Sequence, residues 1–190
     1  MSNLIPDMNA SINPGESAAG FHLGMNYSLF LNKTNHTFIN SFLKDPILDS
    51  IWMIYEQDEF NYVTEKTYKY QYCYWKESIT LVFSGENMKL ISIQLYNTYN
   101  GKLFKEIELG DSLEKLAKEY DLSYYADMHY LYVKEEPTLD LETGEWKDNL
   151  NWEKRNVIEG IAIESSSLTS YQELKNQKIT RIHIFTDEFL

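Results

Sequence analysis

The chain has 190 residues, 43 % of them hydrophobic and 15 % aromatic, which excludes an intrinsically disordered segment and leaves room for one sizeable domain or two small ones. A formal net charge of −12 opposes direct binding to nucleic-acid phosphates and favours attraction to a basic partner. The one cysteine, Cys73, excludes an intrachain disulfide, and only Arg155 and Arg181 among 17 basic residues are arginines, so bidentate phosphate clamps lack material.

The opening MSNLIPDMNASINPG has no basic stretch followed by an apolar one, and nowhere do 18 apolar residues run together. Neither a secretory signal nor a membrane span is expected, and the predicted location is the cytoplasm. Residues 1–12 read as a loosely held arm that leads to the NPGES turn. SLFLNKTNHTFINSFLKD then predicts a helix from Ser28 to Leu43 with Leu31, Phe38 and Phe42 on one face. Ser28 is the expected cap, Asp45-Pro46 the expected stop, and NKTNHT the point where the helix would break.

DSIWMIYEQ predicts a strand. In YKYQYCYW, Tyr68, Tyr70, Tyr72 and Tyr74 alternate with Lys69, Gln71, Cys73 and Trp75 at the two-residue period of another. Cys73, set among aromatics, is expected to be a buried, inert thiol. SGEN separates ITLVF from KLISIQLY at a hairpin distance. LGDSLEKLAKEYDL predicts a second helix, with Asp111 or Ser112 as its cap, Glu114 near its positive end and Leu113 and Leu116 inward. MHYLYV, NVIEGIAIES and KITRIHIF predict three further strands, with a hairpin tip expected at Thr143-Gly144.

Gly24 and Gly110 precede the two helices in equivalent LG steps, where an unusual backbone angle or a close approach is expected. The order of elements therefore predicts an α+β fold. It would consist of the arm 1–12 and two tandem helix-plus-antiparallel-sheet repeats, residues 13–100 and 101–190, placed as one continuous sheet covered by the helices.

Four histidines, His22, His36, His129 and His183, show no metal-ligand spacing, and His129 and His183 read as satisfied strand histidines. No phosphate loop, nucleophile elbow or Cys-x-x-Cys is present. From Asp140 a calcium loop would need an acid or Asn at its fifth position and Glu at its twelfth, where Gly144 and Asn151 stand. No catalytic residue, metal or cofactor is expected.

Two features suit recognition instead. Fifteen tyrosines supply large contact area with a polar tip, although tyrosine also fills half-exposed strand positions. Residues 135 to 159 carry eight acids against Lys147, Lys154 and Arg155, and include two tryptophans. Glu135, Glu136, Asp140, Glu142, Glu145, Trp146, Asp148, Trp152 and Glu153 are the candidate partner-binding residues, because tryptophan anchors among carboxylates suit a basic protein patch. The alternative is a solvated hairpin whose two tryptophans pack back on the sheet.

PGESAAGFHLG and the helix after it, within residues 13 to 31, resemble the opening of immunity proteins from bacterial polymorphic toxin and contact-dependent growth inhibition systems. Beyond that stretch, the order of elements resembles the tandem architecture of beta-lactamase inhibitory proteins and BamE-like domains, without the disulfides of the former. The resemblance implies a cytoplasmic, monomeric, non-enzymatic inhibitor. It would bind and occlude one cognate toxin domain, a basic nuclease in the common case, without touching nucleic acid or membrane. An adaptor for an endogenous partner and a small hydrolytic enzyme with a cleft between the halves are the alternatives.

Overall fold

Residues 4–40, 51–61, 64–134, 138–139, 146–147 and 156–186 are described by the structure, a computed structural model, with 138–139 and 146–147 described by backbone alone. The first half runs β1 (Ser17–Ala18), β2 (Phe21–His22), α1 (Tyr27–Lys33), β3 (His36–Phe38), β4 (Trp52–Asn61), β5 (Lys66–Trp75), β6 (Ile79–Ser84) and β7 (Leu90–Tyr96). The second runs α2 (Leu113–Glu119), β8 (Tyr120–Tyr125), β9 (Met128–Val133), β10 (Thr138–Leu139), β11 (Trp146–Lys147), β12 (Ile161–Ser165) and β13 (Ile179–Phe185).

Nine strands form one mixed sheet in the order β3-β4-β5-β6-β7-β13-β12-β9-β8. β3 pairs in parallel with β4, and every other neighbour is antiparallel. The last strands of the two halves meet at the centre, where Leu95 lies opposite Ile182 and Ile93 opposite Ile184.

This architecture overturns the expected α+β class. The fold is mostly β, and each helix has only seven residues, too short to cover a nine-stranded sheet. α1 starts one residue before the predicted cap. Asn26 holds the cap position, and the Ser28 hydroxyl donates to Asn26 Oδ1 instead (3.1 Å). The helix stops at Thr34, whose hydroxyl turns back to the Phe30 carbonyl (2.9 Å), as expected of a β-branched residue that competes for backbone groups. Phe38 therefore lies exposed on β3 rather than on a helical face, and Phe42 lies outside the described residues. α2 is capped by Ser112, whose oxygen accepts from the Glu114 amide (3.3 Å), and ends at Glu119 because Tyr120 turns extended and opens β8.

One sheet face carries the core. Trp52, Ile54, Cys73, Leu81, Ile93, Ile163, Ile182 and Ile184 meet Phe30 of α1, Leu113 and Leu116 of α2, and side chains of irregular segments such as Ile12, Phe21, Tyr99 and Leu103. Residues 4–12 are part of this layer rather than a loose arm. The Leu4 amide donates to the Lys33 carbonyl (2.6 Å), Trp52 Nε1 to the Leu4 carbonyl (3.3 Å), and the buried Ile12 donates its amide to the Lys102 carbonyl (3.0 Å).

The entries to the two helices are built alike. Gly24 and Gly110 have φ of 80° and 86°, left-handed values that favour glycine, with open space where a Cβ would stand. Their amides donate to the carbonyls of Leu90 (2.7 Å) and Ile179 (2.8 Å), the first residues of β7 and β13. Three residues on, the Tyr27 and Leu113 amides donate to the Met88 (2.9 Å) and Gln177 (2.8 Å) carbonyls. Each helix is thereby pinned to the strand that reaches the centre of the sheet.

Candidate protein-interaction face

Strand alternation sends every second side chain to the face opposite the core, and the register aligns those side chains in rows across the sheet. One row runs Met53, Tyr74, Thr80, Gln94, His183, Ala162 from β4 to β12. The next runs Tyr55, Tyr72, Val82, Ser92, Phe185, and a third opens with Gln57, Tyr70, Ser84. On the other side of the first row, Tyr96, Arg181 and Glu164 are aligned. Tyr55, Tyr70, Tyr72, Tyr74 and Tyr96 are all half-buried here, and Thr80, Val82, Ser84 and Ser92 between them are buried. Among the described residues, both helices pack on the opposite face.

The rings are held in place. Tyr72 and Tyr74 stack with centroids 6.3 Å apart at 13°, and Tyr70 meets Tyr72 at 6.4 Å. The Tyr72 hydroxyl donates to Glu59 Oε1 (2.5 Å), and the Thr80 and Tyr96 hydroxyls are 3.0 Å apart. Burial, aided by neighbouring acidic groups, pushes the phenols of Tyr70 and Tyr72 up, and that of Tyr74 to about 12, so these rings stay neutral.

The centre of the face is polar. The Arg181 guanidinium sits 4.9 Å from the Tyr96 ring centroid and donates through Nη1 to Glu164 Oε1 (3.1 Å), the oxygen that also lies 2.7 Å from His183 Nε2. Burial works to raise the Glu164 carboxyl, but His183 and Arg181 outweigh it and hold the carboxyl below its usual range. Beside this cluster a shallow hollow of about 360 Å³ opens between Tyr96, Asn97, Lys76 and Glu77.

As chemistry, the cluster lacks an activated nucleophile. The other ring nitrogen of His183, Nδ1, is buried and finds no hydroxyl or thiol partner among the described residues. Cys73 is buried on the core face, where burial drives its thiol well up. No group of three or more His, Cys, Asp or Glu among the described residues is arranged to hold a metal ion.

Of the residues singled out in the sequence, Glu135, Glu136, Asp140, Glu142, Glu145, Asp148, Trp152 and Glu153 lie outside the described residues. Trp146 is placed by its backbone in β11, antiparallel to β10 and opposite Leu139, while the expected tip at Thr143-Gly144 lies outside the described residues. The Arg181–Glu164–His183 cluster was not visible in the sequence, because its members are 17 and 19 residues apart and only the β12–β13 register unites them. A Tyr-x-Tyr-x-Tyr run was the one available signal for the face. Compared with protein-family models, curated proteins and solved structures, the chain gives no match.

Proposed function

We propose that this chain is a non-catalytic protein-binding module that holds a basic partner domain against its tyrosine face. Following the resemblance of residues 13–31, that partner is the toxin domain of a bacterial polymorphic toxin system, which the chain neutralises by stoichiometric occlusion. The observation that carries the reading is the set of half-buried tyrosines, Tyr55, Tyr70, Tyr72, Tyr74 and Tyr96, that the strand register gathers on one face, with Arg181 against Tyr96. Tyrosine and arginine are the side chains that dominate interface energetics, and tyrosine loses little rotamer entropy on binding. Stacking and hydrogen bonds fix these side chains beforehand, which cuts the ordering cost of association. The charge of −12 supplies the long-range attraction. No helix among the described residues is long and apolar enough to cross a membrane.

The test is co-expression with the toxin-like domain encoded next to this chain, followed by titration of the purified pair and an assay of toxicity. Tight one-to-one binding with loss of toxicity supports the reading. Binding that is unchanged when Tyr72 and Tyr96 are both replaced by Ala removes the tyrosine face from it. Absence of binding and of protection removes the toxin and leaves an endogenous partner to be sought.

A further inference from the structure

His129 is the least accommodated polar side chain in the described fold. It is 0 % exposed, and neither ring nitrogen makes a hydrogen bond of good geometry among the described residues, although the Ile163 backbone lies where it favours the charged ring. It lies on β9 opposite Ile163 of β12, on the face that carries the core, with the Tyr124 ring of β8 against it at 5.0 Å. Burying an imidazole without a partner is costly, and burying an imidazolium there is far costlier.

Its place in the sheet gives that cost a mechanical consequence. β8 and β9 pair along a full ladder from Tyr120–Val133 to Tyr125–Met128, and β12 and β13 from Ile161–Ile184 to Ser165–Ile179. Between β9 and β12 the regular ladder, among the described residues, consists of the pair Ile163–His129 alone. The seam is completed by the bridge Tyr132–Val157, by backbone bonds from Val133 to Asn156 and from Ile158 to Leu131 (2.8 Å each), and by Gln172 Nε2 donating to the Leu122 carbonyl (3.0 Å). Among the described residues the β8–β9 hairpin is thus an edge unit, and its one regular ladder pair to the sheet is the one at His129.

Among the described residues, no neighbouring element offers a counter-charge bonded to the ring. β12 presents Ile161 and Ile163, and β8 presents Leu122 and Tyr124, whose hydroxyl donates to Asp127 Oδ1 (3.1 Å). Glu173 and Tyr171, from the segment between β12 and β13, lie near Tyr124 and near Glu114 of α2 respectively, and neither carboxylate reaches a ring nitrogen of His129. Burial accordingly lowers the affinity of His129 for a proton, and the backbone of Ile163 offsets only part of that.

We propose that His129 is an acid-sensitive latch at the seam between the β8–β9 hairpin and the rest of the sheet. Proton uptake opens that seam and frees the hairpin while β4–β7, β13 and β12 stay paired. The sign follows from linkage. The closed state holds its proton less tightly than the open state, so the closed state is fully favoured above the ordinary histidine value and loses ground as pH falls below it. While the closed state stays neutral, the opening equilibrium grows by about tenfold per pH unit below about 6.5.

Amide hydrogen exchange of the whole chain at pH 7.5 and 5.5, corrected for intrinsic rates, is the test. Protection of residues 120–133 should fall by about tenfold at the lower pH in the wild type and stay flat in His129→Phe, with β5–β7 protected in both. Equal acid response in His129→Phe, or loss of protection spread evenly over the sheet, overturns the proposal. Should His129→Phe not fold, the ring resonances of wild-type His129 decide. A ring that titrates near its ordinary value while the hairpin stays protected overturns the latch, and a ring that charges only as protection is lost supports it.

Discussion

The two faces of the sheet are made from the same strands but by different rules. The core face uses large apolar side chains packed from above by seven-residue helices and irregular segments, and its specificity is one of shape. The opposite face uses tyrosines at two-residue spacing with buried residues such as Thr80, Val82 and Ser92 between them, and its order comes from stacking and hydrogen bonds between neighbours. The first arrangement puts its contacts into folding. The second keeps its rings half-buried, and on the proposed function mutations on the two faces should separate stability from binding.

The sharpest way to test that separation is Phe30→Ala. Phe30 is 0 % exposed and meets Phe21, Tyr27, Trp52 and Phe83 at ring distances of 5.1 to 6.5 Å. Its truncation should cost about 3–5 kcal/mol, a large share of the stability of a domain this size, read from denaturant midpoints. Binding by the fraction that remains folded should be unaltered. A loss below about 1 kcal/mol would mean that α1 does not anchor the core.

Tyr72→Ala and Tyr96→Ala are the converse. Each should weaken partner binding by about 2 kcal/mol, close to thirtyfold, with a smaller loss of stability than Phe30→Ala. Tyr72→Phe, which removes only the hydroxyl bonded to Glu59, should fall between Tyr72→Ala and wild type. If both alanine variants bind as wild type while stability drops, the tyrosine face is structural filler and the comparison collapses.

A smaller effect separates backbone from side chain. Gly24→Ala and Gly110→Ala place a Cβ in open space but force alanine into a left-handed backbone, at about 1–2 kcal/mol each. Because both glycines bond to the first residue of a central strand, the two costs should be equal within error and additive in the double variant. Unequal melting shifts would show that the two helix entries, alike in geometry, are not alike in energy.

Much of the fold is legible in the sequence and some is not, for identifiable reasons. Alternation in YKYQYCYW and in the apolar strands was readable because one face of each strand differs chemically from the other. β8 was hidden because Tyr120 continues the apolar face of Leu113 and Leu116 in α2 as well as it begins a strand, with no glycine or proline between the two. The fold class failed because Ile12, Phe21, Tyr99 and Leu103 cover the sheet from irregular segments, which have no period to detect. His183 is bonded through one ring nitrogen to Glu164, whereas His129, read the same way from an equally apolar strand, makes no hydrogen bond of good geometry among the described residues. Sequence marks a strand histidine but not what stands across from it.

The least of the expected effects is one of charge. Glu142→Lys, Glu145→Lys and Asp148→Lys together change the formal charge by six, from −12 to −6, within the acidic 135–159 stretch. Folding stability should change by less than about 1 kcal/mol, because carboxylates in an acidic run rarely build a core. Association should slow by up to about tenfold at low salt while dissociation changes little, because steering acts before contact. Added salt should then close the gap between wild type and variant, since screening removes the attraction that the variant lacks. A gap that persists in high salt and appears in the dissociation rate would instead make these carboxylates contact residues, and the tyrosine face would have to share the interface with them.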